Sequence, residues 1–174
     1  DFDVECDWRE KHKLLRVAFP LDIRADEARF EIQYGTVARA THDNTKWQYA
    51  QYEGVGHRFA DLSDADFGVA LLNDCKYGYR AKGKELSLSL LRSSTHPDPF
   101  ADKGEHDFTY AIMPHEGALD RSDDVVAAAA ELNQGLMRFE GAAIGEKAKL
   151  PVEVSGEGIE FAVLKLADDG EDLI

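Results

Sequence analysis

The chain has 174 residues, with 20 Lys and Arg against 34 Asp and Glu, and a formal net charge of -14. A surface this acidic repels phosphate backbones and anionic lipid head groups, which argues against nucleic-acid and membrane-surface partners. The length suits one ordinary domain or one large β-sandwich, and no apolar run approaches the ~20 residues of a membrane-spanning helix.

The first two-thirds reads as β-structure. Phe2, Val4 and Cys6 alternate with acidic residues, which predicts a strand with one wet face. The segment 13–21 is denser in apolar residues and meets Pro20. Over 29–41, Phe30, Ile32 and Tyr34 alternate with Arg29, Glu31 and Gln33. The aromatic-rich stretch 46–62 reads as strand broken by Gly54 and Gly56. Residues 67–72, FGVALL, are apolar on both faces and belong at the centre of a sheet. The leucines at 86, 88 and 90 define a further strand, and Phe108, Tyr110 and Ile112 share one face of another. Residues 122–136 differ. Ser122 is a candidate N-cap, acids fill the first turn, alanines follow, and Gly135 is a stop, which predicts one short helix. Beyond it, 150–156 and 159–167 return to strand patterning, and the last residues read as a turn leading into one more strand. Strands punctuated by Gly, Pro, Asn and Asp turns predict a mainly β, antiparallel sandwich over 1–174 as a single domain, with one short helix. Both ends read as strands cut short, so a piece of a longer chain is expected.

Candidate chemistry is sparse. Two cysteines, Cys6 and Cys75, form no framework, and free thiols in a reducing cytoplasm are the expectation. No basic stretch followed by an apolar run opens the sequence in the manner of a secretory signal. Cys75 follows the apolar strand in NDCKY, but no histidine carries a nucleophile signature around it, so a half-buried thiol is the expected reading. His96 and Asp98 have a spacing used by metal ligands, yet Pro97 and Pro99 make a rigid turn and no third ligand is evident. His106-Asp107 and His42-Asp43 are adjacent pairs, which point apart on a strand. Carboxylate pairs such as Asp64 and Asp66, or Asp168 and Asp169, suit glycoside hydrolysis in principle but arise readily in a chain this acidic. The aromatics Trp8, Trp47, Tyr49, Tyr52, Tyr77 and Tyr79 suit either a sugar platform or strand-face core. The loop 38–47 gathers hydroxyls, His42, Asn44 and Trp47, as recognition loops and Asx turns both do. Arg92, after a leucine strand, presents a fixed fork for a carboxylate or a sugar hydroxyl.

Four segments, 8–26, 31–47, 57–79 and 86–115, resemble the C-terminal part of glycoside hydrolase family 38 α-mannosidases, in order and over nearly the whole chain. The likeness is to the bacterial and cytosolic-type branch. The resemblance implies a supersandwich of the galactose-mutarotase type. It also implies a longer parent enzyme that removes terminal α-linked mannose from glycans with retention. In the family, an N-terminal α/β barrel holds zinc, an Asp nucleophile and an acid/base carboxylate. This chain matches only the sandwich region, so no catalytic residue and no metal ligand is expected within it, and His96-Pro97-Asp98 is not the family's zinc motif. The implied partners are its own N-terminal catalytic domain and a mannose-containing glycan, with a homo-oligomer possible. Arg92 matches in position an arginine that borders the substrate site in related enzymes. Asn73, Asp74 and Tyr77 match a recurrent motif without an assigned role. Phe59, Asp43 and His96 depart from the pattern, standing where Trp, a basic residue and Tyr are common. If 67–72 and 85–91 form a hairpin, Asn73 and Arg92 lie roughly 17 to 20 Å apart at opposite ends.

Overall fold

One strand, Phe67–Asn73 (β7), organises the fold because it is apolar on both sides. Val69 and Leu71 point into one apolar cluster, and Ala70 and Leu72 into another on the opposite face. Burying a leucine stabilises by about 1.5–3 kcal/mol, so this strand contributes on both faces. The computed structural model describes residues 1–119, 123–135, 153–156 and 163–174. The chain forms two compact units, Asp1–Leu136 and Met137–Ile174.

The first unit contains two antiparallel sheets. The six-stranded sheet uses β1 (Phe2–Trp8), β3 (Glu27–Ile32), β4 (Gly35–Ala40), β6 (Phe59–Ser63), β7 and β10 (Gly104–Glu116), in the order β1-β10-β7-β6-β3-β4. The four-stranded sheet uses β2 (Leu14–Pro20), β5 (Gly54–Val55), β8 (Gly78–Lys82) and β9 (Glu85–Arg92), in the order β2-β9-β8-β5. The antiparallel β-sandwich read from the sequence is the observed architecture, and β7 lies inside its sheet as its two apolar faces require. Between the sheets lie Phe30, Leu62, Leu71, Tyr79, Leu86, Leu88 and Phe108, all at most 2% exposed. The period-2 pattern of β9 places Leu86, Leu88 and Leu90 in this core.

The outer face of the six-stranded sheet is covered by helix α2 (Asp123–Asn133). Val125 and Ala129, one helical turn apart, are fully buried against Phe59, Leu72 and Ala111. The small side chains of VVAAAA let the helix approach the sheet closely. Gly135 follows two residues after the helix ends, and the N-cap candidate Ser122 lies outside the described residues.

Three sequence expectations need correction. Strands β7 and β9 do not pair: β7 lies between β6 and β10, and β9 between β2 and β8. The link Asp74–Tyr77 instead carries the chain from one sheet to the other, because β7 is already flanked on both edges. Residues 46–62 are not one broken strand. They hold a helix, α1 (Lys46–Ala50), followed by β5 and β6. Thr45 caps that helix by accepting from Gln48 N at 3.2 Å, and the Gln48 side chain accepts from Thr45 N at 3.0 Å. Segment 29–41 is a hairpin, with Gln33 and Tyr34 at its tip.

In the second unit, the described residues near the chain end form a tight reversal. Leu166 bridges Leu173, with Lys165 N donating to Ile174 O at 2.9 Å and Ile174 N returning to Lys165 O at 2.8 Å. The expected strands at 150–156 and 159–167 lie for the most part outside the described residues.

Candidate functional site

The stretch at the end of β7 is a bracket rather than a reactive centre. Asn73 is 1% exposed. Its Nδ2 donates to His57 O at 3.2 Å and to the Tyr79 hydroxyl, and its Oδ1 accepts from Lys76 N. Its backbone carbonyl accepts from Asn133 Nδ2 at 2.9 Å, which ties α2 to the same point. One amide side chain thus joins both sheets, the crossover link and, through its backbone, the helix. Burial pushes the Tyr79 phenol well above its ordinary range, with the Asn73 contact partly offsetting it. Asp74 is exposed and accepts from Thr109 N at 3.0 Å. Cys75 is exposed, but partial burial, then a hydrogen bond with Asp74, pushes its thiol up to about 11. A nucleophilic cysteine needs the opposite shift. Tyr77 is exposed and meets the His57 ring edge-on at 6.3 Å. His57, Arg58, Asn73, Asp74, Cys75, Tyr77 and Asn133 line a cleft of about 360 Å³.

Arg92 lines a different cleft, of about 720 Å³, with His12, Lys13, Arg16, Tyr52, Glu53, Ser94 and His96. Its backbone N–H donates to Asp102 Oδ2 at 2.8 Å, which fixes the strand end. Its side chain is exposed, and its guanidinium has no partner among the described residues. Below it, Arg16 pairs with Glu53, which also accepts from Ser89 Oγ. Trp8 Nε1 donates to Ser93 Oγ at 2.7 Å and braces the loop that follows Arg92. The link between β7 and β8 is only four residues long, and Gly78 faces Ser89 on β9. Arg92 therefore lies at the same end of the sandwich as Asn73, on the other sheet. The opposite-ends geometry fails with the hairpin it assumed, though the two residues still line separate clefts.

The loop expected to gather His42, Asn44 and Trp47 does not form one site. Asp43 pairs with Lys82, Thr45 caps α1, Asn44 is exposed, and His42 keeps a buried Nδ1 without a partner among the described residues. Trp47 is 84% exposed, and Tyr49 and Tyr52 beside it meet edge-on at 5.9 Å. Phe59 is buried under α2 and faces no solvent.

Two of the candidate carboxylates, Asp64 and Asp98, prove to be turn formers. Asp64 Oδ1 accepts from Asp66 N and Phe67 N, both at 3.0 Å, and Asp98 Oδ1 accepts from Phe100 N at 2.8 Å. Among the described residues, no group of three or more His, Cys, Asp or Glu side chains is arranged to hold a metal ion.

One buried polar cluster was not read from the sequence. On the face under α2, His115 Nε2 lies 2.7 Å from Asp61 Oδ2, and Ser63 Oγ donates to Asp61 Oδ1 at 2.7 Å. Burial raises the Asp61 carboxyl above its ordinary range, with the hydrogen bonds from His115 and Ser63 partly offsetting the shift. An Asp inside the otherwise apolar FADL was the available signal, because a buried acid demands a partner.

The profile of the glycosyl hydrolases family 38 C-terminal domain matches residues 1–100. Alpha-mannosidase G of Dictyostelium discoideum is 45% identical over the whole chain, which spans 16% of that protein. Alpha-mannosidase 2C1 of Mus musculus is 52% identical over 78% of the chain, and an alpha-mannosidase of Saccharomyces cerevisiae is 43% identical over 95% of it. The chain spans 13% and 15% of those two relatives. A crystal structure of an alpha-mannosidase from Enterococcus faecalis superposes with a TM-score of 0.65 over 75% of the chain and 16% of its own, at 19% identity, and so shares the fold. With a profile covering more than half its length, two sandwiched sheets and these relatives, the chain belongs to glycosyl hydrolase family 38, as its C-terminal domain.

Proposed function

We propose that this chain is the non-catalytic C-terminal sandwich of an α-mannosidase that hydrolyses terminal α-linked mannose from glycans with retention. Its role is to support the catalytic domain of the same polypeptide and to border the substrate site through Arg92. The observation that carries the reading is the size of the relatives: three α-mannosidases match at 43–52% identity, and this domain spans only 13–16% of each. The reacting carboxylates and the zinc or other divalent metal belong, on this reading, to the remainder of the polypeptide. The exposed Arg92 fork at a cleft of about 720 Å³ supports a border role, because a guanidinium can bind sugar hydroxyls by parallel hydrogen bonds. Two unpaired cysteines fit a reducing, cytoplasmic setting.

The test is an assay on an aryl α-mannoside with zinc or cobalt. The isolated chain should be inactive and the full-length polypeptide active. Robust turnover by the isolated chain would overturn the proposal. In the full-length enzyme, Arg92→Ala should lower kcat/KM for a mannobioside more than for the aryl mannoside, because only the former reaches an outer site.

A second reading, a self-standing carbohydrate-binding sandwich, draws on the exposed Trp47, Tyr49 and Tyr52. Titration of the isolated chain with mannose and short mannosides, read by tryptophan fluorescence, decides it; no response at millimolar sugar removes it.

A further inference from the structure

The β3–β4 hairpin reverses through two residues, Gln33 and Tyr34, with Ile32 paired to Gly35. Tyr34 has φ of 58°, in the left-handed region. That position of a tight turn is ordinarily taken by Gly or Asn, and a bulky residue there is strained. Glycine is present, but one residue late. Gly35 has φ outside the left-handed region, and a Cβ built on it meets nothing within 4 Å. Among the described residues, no contact accounts for Tyr at 34 or for Gly at 35. Tyr34 is also wholly exposed, at 108%. Backbone strain at a solvent-exposed tyrosine points to a contact outside the domain.

The neighbouring surface points the same way. Glu31, at the end of β3, binds Arg58 through both backbone and guanidinium, and His57 N donates to Glu31 O at 3.0 Å. His57 in turn meets the exposed Tyr77. The hairpin tip and the crossover link are thus held at one end of the sandwich, with Tyr34 and Tyr77 both presented. Tyrosine combines a large apolar face with a polar handle at low entropic cost, which suits the centre of a protein interface. We propose that Tyr34 is an anchor that inserts into a pocket of another part of the same polypeptide, with Gly35 leaving room for the partner's backbone and Tyr77 flanking the contact. The inference rests on the proposal that this chain is one domain of a longer enzyme, since 84–87% of each matched relative lies outside the region this chain spans.

Hydroxyl-radical footprinting of the full-length polypeptide that carries this chain tests it. Tyr49 and Tyr52, at 62% and 61% exposure, are internal controls. On solvent exposure within this domain alone, Tyr34 would be modified most. The expected result is that Tyr34 is several-fold less modified than Tyr49 and Tyr52. In Tyr34→Asn, which takes the left-handed conformation with less strain, modification of Tyr77 should rise while β-sheet circular dichroism is kept. Tyr34 modified as readily as the controls overturns the inference. If Leu14 and other residues around Arg92 are protected in that case, docking uses another face and the parent-enzyme reading survives. If no face is protected, both fail.

Discussion

His115 Nε2 and Asp61 Oδ2 meet at 2.7 Å although their strands are not neighbours: β7 runs between them, and its Gly68 is the residue they cross. Gly68 pairs with His115 on one side and with Ser63 on the other. A Cβ on Gly68 would fall 2.2 Å from His115 Cε1 and 2.6 Å from Ser63 Cβ. The imidazole occupies the space a side chain would fill. Gly68→Ala should therefore destabilise the fold by about 1–3 kcal/mol through overpacking, read as a lower urea midpoint. Adding His115→Ala should cost less than the sum of the two single changes, because the clash and the contact are one feature.

Asp61 sets a distinct pH dependence. Its folded-state pKa is raised, chiefly by burial, above the ~3.9 of an unfolded chain. The folded state then binds more protons than the unfolded state in the window between those values. Its contribution to stability is fully present below about pH 4 and is lost as pH rises through the folded value. The stability of the natural chain minus that of Asp61→Asn should fall over that window, in denaturant titrations at successive pH values. A difference that grows with pH would show a carboxylate stabilised by its partners beyond its desolvation.

Asn73→Ala removes partners from Lys76 N, the Tyr79 hydroxyl and His57 O together. Each buried group left unsatisfied costs about 1–3 kcal/mol, so this single change should rank among the most damaging in the sandwich. Asn133→Ala touches the same point from α2 but leaves the side-chain bracket intact. It should cost about 0.5–1.5 kcal/mol, in thermal or urea unfolding.

Cys75 should be slow toward alkylation despite its exposure. A thiol at about 11 carries roughly 100-fold less thiolate near pH 8 than one at 9. In a Cys6→Ser background, iodoacetamide should label it far more slowly than free cysteine. Rapid labelling would mean the thiolate is stabilised.

Strand content was legible wherever apolar periodicity was strict. The double-faced run 67–72 and the leucines of β9 gave both elements and the central place of β7. Pairing was not legible, because periodicity says which face is buried and nothing about which strand is adjacent. The successive apolar segments 67–72 and 85–91 invite a local hairpin, whereas the structure places β7 and β9 in different sheets. Helix α1 hid within an aromatic stretch that suits strands, and only Thr45-x-x-Gln48 signalled it. At the candidate sites, the resemblance favoured Arg92 and left Asn73, Asp74 and Tyr77 without an assigned role. Burial separates them: Asn73 is consumed by internal hydrogen bonds, while the Arg92 side chain stands free at a cleft among the described residues. Asp61 and His115, on strands far apart in the chain, had no shared local pattern to reveal them.

The partnership of β1 with β10 has a temporal meaning. Phe2 waits for Tyr110, so β1, made before the other strands of this sandwich, is among the last of them to find its place. Until residue 116 is synthesised, β1 has no ladder and β7 has a bare flank. Closure over so long a stretch is slow and leaves apolar strand edges open meanwhile. A chain ended at residue 100, where the family profile stops, would remain in that unfinished state indefinitely.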